Sequence, residues 1–287
     1  MQKRPRKHHY LPEFYTQRWT DSGGEMVRFI RKPSGEIERR RVTPGGIGFE
    51  RDLYTISEDA EADEQALELG LFRLVDDFGG KTTERLLAGD IPSDSEGRSK
   101  WAAFVLSLMF RCPKDIRARS KAYEILVRKM FPEEPPNELA ARQIALQQLW
   151  RGIDNSFLGG VLVRMQWDVV DLSDSGVPLL TSDNPIIMSN GLAPPEGNYA
   201  LPLSPTHMFV MSWPGPQRSN ALAAPHKVLA KLANKNTVER ARLFVIDKSE
   251  GQRSFIEKHF AARPVPSPLE SLAIAYAGGK FPILDPR

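Results

Sequence analysis

Two short motifs, far apart in the chain, set polar side chains beside a proline. One is His8-His9-Tyr10-Leu11-Pro12-Glu13-Phe14-Tyr15; the other is Ser182-Asp183-Asn184-Pro185. Imidazole is the side chain that titrates near neutrality unaided, so His9 suits general acid or base work, with His8 the weaker of the pair. Asp183 can take up a proton or orient a base. Asn184 can donate to a developing negative charge. Each also has a plainer reading. His9 could be hydrogen-bonded between parts of the fold, and Asp-Asn-Pro is ordinary turn chemistry.

Further candidates surround these motifs. Arg111 closes an apolar run at Arg111-Cys112-Pro113. A buried arginine stays charged and demands a carboxylate, phosphate or carbonyl. It reads as an oxyanion clamp or as half of a salt bridge, to Asp183 or Glu50 for example. Tyr15, Asn236 and Arg240 are candidates for lining a substrate pocket together with Asn184. Asn236 and Arg240 are four apart and share a helix face. Asparagine is a poor helix former, so Asn234 and Asn236 inside a helical stretch imply a specific bond. No metal is assigned, because His9 and Asp183 alone do not make a coordination sphere. The sequence names no cofactor. Gly45-Gly46-Ile47-Gly48 lacks the spacing and Lys-Ser/Thr ending of a phosphate-binding loop.

The 287 residues are 41% hydrophobic and 26% charged, an ordinary globular balance. No apolar run approaches the roughly 20 residues of a membrane span. Cys112 is the single cysteine, which excludes an internal disulfide and suits a reducing cytoplasm. The net charge is only +3, but it is uneven. Lys3, Arg4, Arg6 and Lys7 form one basic cluster and Arg39, Arg40 and Arg41 another. Such clusters could meet nucleic acid or nucleotide phosphates. Protein partners are not legible.

The elements that must position these residues suggest an α+β fold. A basic tail (1–7) precedes a small β lobe (8–56) with a hairpin about Pro33-Ser34-Gly35. A helical middle (64–157) follows. Its first helix carries a stripe of Leu67, Leu71, Leu74, Val75 and Phe78, with Gly79-Gly80 as its stop. Ser93-Asp94-Ser95-Glu96 fits a capping box for a second helix, buried over residues 101–110. A third spans about 115–131, and residues 132–136 break the chain. Asn137 caps a fourth, to about 157. A C-terminal sheet with helices (161–263) opens on a strand at 161–172. It carries a helix at 225–241, a strand at 243–246 and a cap at Ser249-x-x-Gln252. Residues 264–287 are proline-rich.

The motifs also form a collinear set. His9-Tyr10-Leu11-Pro12, Tyr15, Trp19, residues 51–54, Arg111-Cys112-Pro113, Ser182-Asp183-Asn184-Pro185, Leu203-Ser204-Pro205 and Asn236 follow one another over residues 8–247. In this order they resemble a bacterial family known as domain of unknown function 4238. Trp19 stands where that family more often has phenylalanine. The resemblance implies a bacterial or phage-related cytoplasmic protein and no particular activity. From the residues themselves, two functions are in view. One is a hydrolase acting on a phosphate-containing substrate through His9, Asp183 and Arg111. The other is a non-enzymatic binding or regulatory protein in which the same residues form a buried network.

Overall fold

The computed structural model of the chain describes residues 6–55, 67–133, 136–189 and 197–260. The proline-rich stretch 264–287, Lys3 and Arg4 lie outside them. Alternating apolar and charged residues make the expected hairpin, β2 (Met26–Arg31) with β3 (Ile37–Val42). Strand pairing begins earlier than the tail reading allowed: β1 (Lys7–His9) pairs with β4 (Phe49–Arg51), and His9 lies opposite Phe49. The hairpin does not stand apart. β2 also pairs with β10 (Val245–Asp247), which pairs with β6 (Thr181–Ser182). Another sheet runs β5 (Gln166–Asp171), β9 (His207–Ser212), β8 (Asn198–Pro202), β7 (Ile187–Ser189). All described pairings are antiparallel, and with the helices they make the fold α+β.

Between the strands lie α1 (Glu13–Thr16), α2 (Arg73–Leu87), α3 (Ser95–Phe110), α4 (Pro113–Met130), α5 (Glu138–Ile153) and α6 (Ser156–Arg164). Then come α7 (Pro216–Ala223), α8 (His226–Arg240) and α9 (Arg253–His259). The apolar run of α3 is buried as its composition demands, with Trp101, Phe104, Val105 and Leu106 inaccessible. Trp101 and Trp167 both meet Phe209 edge-on, with ring centres 5.3 and 5.4 Å away. Among the described residues no helix is long and apolar enough to cross a membrane.

Several local expectations are corrected. Gly79-Gly80 is not a stop, because α2 runs through it. A Cβ at Gly79 would sit 2.4 Å from a ring carbon of Phe104, so glycine there lets α3 approach. The buried face of α2 is Val75, Gly79, Thr82, Thr83 and Leu86, while Leu74 points outward. Asp94, not Ser93, caps α3: its carboxylate accepts from Gly97 N at 2.7 Å. The Asn137 cap holds, accepting from Ala140 N at 3.1 Å, but its helix ends at Ile153. Asn155 then caps α6, accepting from Leu158 N at 2.8 Å. Residues 161–164 are therefore helical, not strand. The Arg98 guanidinium fixes this helix end by donating to the carbonyls of Val163 (2.8 Å) and Met165 (2.7 Å). Finally, Ser249 accepts only from Gly251 N, and Gln252 turns its side chain to the Pro178 carbonyl instead of closing a cap.

Candidate functional site

The His-Tyr-x-Pro segment is aligned by Gly48. The Gly48 carbonyl accepts from Tyr10 N (2.8 Å) and Leu11 N (3.0 Å). Gly48 has φ +66°, and a Cβ there would fall 2.8 Å from the Cβ of Leu11. Successive side chains on a strand face opposite ways, which separates the two histidines. His8 is buried, accepts from Tyr54 N at 3.0 Å through Nδ1, and stacks on the Tyr54 ring. His9 lies against Phe49, with Nε2 3.3 Å from Glu13 Oε1. Partial burial holds the His9 imidazole below its ordinary value. Glu13 opposes that shift, while Lys7 and Arg111 add to it.

Arg111 is fully buried at the end of α3. Its partner is neither Asp183 nor Glu50 but Asp76 on α2: Nη1 donates to Oδ1 at 2.8 Å. Glu50 pairs with Arg117 instead, at 2.7 Å. Among the described residues Arg111 Nε and Nη2 have no hydrogen-bond partner. The guanidinium lies 5.7 Å from the centre of the Phe72 ring. Burial raises the Asp76 carboxyl above the usual carboxylate range, although the Arg111 charge pulls it down. Tyr54 connects the parts. Its N–H goes to His8, and its hydroxyl donates to the Arg111 carbonyl at 3.4 Å.

Asp183 is braced by backbone. Its Oδ1 accepts from Arg242 N at 3.0 Å and Phe244 N at 3.2 Å, across the start of β10. Oδ2 is buried without a hydrogen-bond partner among the described residues. Burial pushes this carboxyl up, and the neighbouring backbone N–H groups and Arg242 only partly offset it. The Arg242 guanidinium donates to Asp115 at 2.9 Å, in a pair almost closed to solvent. The Cys112 thiol is pushed up to about 12, by burial first and then by Asp183. Tyr10 is raised by the same two causes in the same order. The Asp183 charge is thus felt at Tyr10 of the other proline-braced segment. No hydrogen bond among the described residues joins Asp183 to His9 or Arg111.

The four candidates for substrate contact divide. Asn184 Nδ2 donates to the Arg240 carbonyl at 3.2 Å, and Arg240 Nη1 donates to the Met188 carbonyl at 2.9 Å. They lie together beside Asp183, and Arg240 Nε has no hydrogen-bond partner among the described residues. Tyr15 is in the core: its hydroxyl donates to the Pro202 carbonyl at 2.8 Å and lies 2.8 Å from Thr181 Oγ1. Asn236 bonds only its own helix, at the Leu232 carbonyl. The mid-helix asparagine with a specific task is Asn234. Its Oδ1 accepts from Leu180 N, and its Nδ2 donates to Pro178 O and Gln252 Oε1, each at 2.8 Å.

Arg6 and the 39–41 cluster are matched by acids, while Lys7 donates to the Gly45 carbonyl. Arg6 pairs with Asp52 (2.7 Å), Arg39 with Glu250 (2.9 Å), Arg41 with Glu25 (2.8 Å) and Asp21, and Arg40 with Glu38. Among the described residues no group of three His, Cys, Asp or Glu side chains could hold a metal. Sequence reasoning missed Asp76, Asp115, Arg242 and Tyr54. A buried arginine announces that it needs a partner but not which carboxylate supplies it.

No curated protein and no solved structure is significantly similar to the chain. A family model, described as a protein of unknown function (DUF4238), matches residues 7–251. That span holds the His-Tyr-x-Pro strand, the Arg111–Asp76 pair and the Asp183 brace, and the chain belongs to the DUF4238 family.

Proposed function

We propose that the chain is a cytoplasmic hydrolase of a phosphate-containing substrate, a nucleotide or nucleic acid, with Arg111 holding the anion and His9 moving the proton. The observation that carries this reading is the buried Arg111 guanidinium with two nitrogens lacking an acceptor. Buried donors are rarely left open, and phosphate oxygens match the guanidinium fork. His9 lies within reach of that charge and is held toward its neutral form, ready to accept a proton. Asp183 is the third polar group, flanked by Asn184 and Arg240. Tyr15 supports the frame around them through Thr181, next to Ser182. Since Arg6 and the 39–41 cluster meet carboxylates, small phosphate esters are favoured over a long polyanion as substrate.

A second reading has its own support. Asp183 Oδ1 serves two backbone N–H groups, and Arg242 and Asp115 pair in the interior beside it. In a non-enzymatic binding or regulatory protein, this network would fix how the sheet edge meets α4. The two readings separate on a hydrolysis panel of DNA, RNA and nucleotides. The enzyme reading expects turnover by the wild type and a loss of about 100-fold or more in His9→Ala, with Arg111→Met also failing. Wild type and variants indistinguishable on every substrate would overturn it.

A further inference from the structure

His9 ends β1 and Glu13 opens α1, and the turn between them folds one side chain onto the other. Two features make that turn. Tyr10 N and Leu11 N both donate to the Gly48 carbonyl, and Pro12 holds the chain extended, at φ −62° and ψ 143°, before the helix begins. Glu13 Oε1 thereby comes within 3.3 Å of His9 Nε2. The other carboxylate oxygen rests against Gly45, where a Cβ would fall 3.1 Å from Oε2. The Gly45 carbonyl accepts from Lys7 Nζ, which lies 4.1 Å from the centre of the Phe49 ring. His9 leans on that same ring.

The two nitrogens of the imidazole differ. Nε2 is shut off from solvent and has no directed hydrogen bond among the described residues, so the 3.3 Å approach lies off the N–H axis. A buried N–H left open is costly, and the Glu13 side chain, 55% exposed, has room to turn onto it. A carboxylate only accepts, so the proton of the neutral ring then sits on Nε2 and the lone pair on Nδ1. Nδ1 has no hydrogen-bond partner among the described residues. Resting on the base role proposed for His9, we infer that Glu13 is its positioning residue, fixing the ring through Nε2–H so that Nδ1 is the atom that takes up the proton. The charges around the ring act with opposite signs. Burial disfavours the protonated form most, Glu13 favours it, and Lys7 and Arg111 disfavour it.

The test is an NMR titration of the histidine rings of the full chain, His9 being the signal lost in His9→Gln. Glu13 and Lys7 are both exposed, so substitutions there spare the fold, as melting curves would verify. Glu13→Gln should lower the His9 midpoint by about 0.5 pH or more, and Lys7→Met should raise it. Long-range nitrogen–proton spectra of the neutral ring should place the proton on Nε2. On any phosphate ester that the wild type hydrolyses, Glu13→Gln should lower kcat about tenfold with KM unchanged, and the acidic limb should move with the NMR midpoint. A midpoint unmoved by Glu13→Gln, the same direction of shift in both variants, or a proton on Nδ1 would overturn the assignment. A shifted midpoint in a chain that hydrolyses no ester would instead overturn the hydrolase reading and leave the Glu13–His9 pair in place.

Discussion

Asp76 reaches Arg111 through one 2.8 Å contact, Oδ1 to Nη1, and among the described residues that contact is the only ion pair of a wholly buried guanidinium. Removing the acid strands a cation, whereas removing both charge and demand does not. Asp76→Ala should therefore cost about 3 kcal/mol, the low end for broken buried pairs because Asp76 keeps some access to water. Arg111→Met should cost less, its thioether chain filling the same space. Urea unfolding of the two variants gives the comparison, and equal losses would contradict the asymmetry.

Asp183 gives a pair of variants that differ in one property. Asp183→Ala leaves the N–H groups of Arg242 and Phe244 without an acceptor, at about 1–3 kcal/mol for each buried group. Asp183→Asn keeps an acceptor and loses the charge. The folded carboxyl is raised, so the wild type binds its proton more tightly when folded. Its contribution is complete below the unfolded value of about 4 and is lost as pH rises through the folded value. Thermal melts should show Asp183→Ala well below wild type at every pH. Asp183→Asn should gain on the wild type as pH climbs from about 4. A flat difference between Asn variant and wild type would contradict the burial of this group.

The His9 shift has the opposite consequence. A histidine lowered by folding binds its proton less tightly in the folded chain. Its stabilising contribution is complete above the unfolded value of about 6.5 and disappears as pH falls through the folded value. His9→Gln should therefore lose less stability than wild type on acidification below about pH 6.5. Parallel pH–stability curves would show that the ring is not desolvated.

Gly79 tests the contact between α2 and α3. Alanine there raises helix propensity by about 1 kcal/mol. Yet its Cβ would meet the Phe104 ring at 2.4 Å. Overpacking costs of about 1–3 kcal/mol should win, so Gly79→Ala is destabilised. Phe104→Leu added to it should restore part of the loss, as a double-mutant cycle would register.

What the chain disclosed in advance was local. The continuous apolar run from Trp101 to Phe110 gave the buried helix, and turn residues about Gly35 gave the hairpin. Asparagines at 234 and 236 announced a specific bond; Asn234 makes it, whereas Asn236, the expected site residue, bonds within its own helix. What stayed hidden was pairwise and distant. Arg111 plainly needed an acid, but Asp76 carries no mark that distinguishes it from its neighbour Asp77. Gly79 read as punctuation because the ring that requires it sits on another helix. Ser93 and Asp94 offered rival caps one residue apart, and only packing chose between them. The expected residues were likewise gathered in part. His9 and Arg111 come within electrostatic reach. Asp183 lies with Asn184 and Arg240, and no hydrogen bond among the described residues joins it to His9 or Arg111.

The order β3-β2-β10-β6 has an implication for synthesis and handling. The inner edge of β2, Phe29 included, has no ladder until Val245 arrives to face it. On the ribosome that edge waits, bare and adhesive, until Val245, far along the chain, has been made. A nonsense mutation or a clip before β10 would thus unseat the hairpin at the far end of the polypeptide, and amino-terminal fragments should be recovered as aggregates.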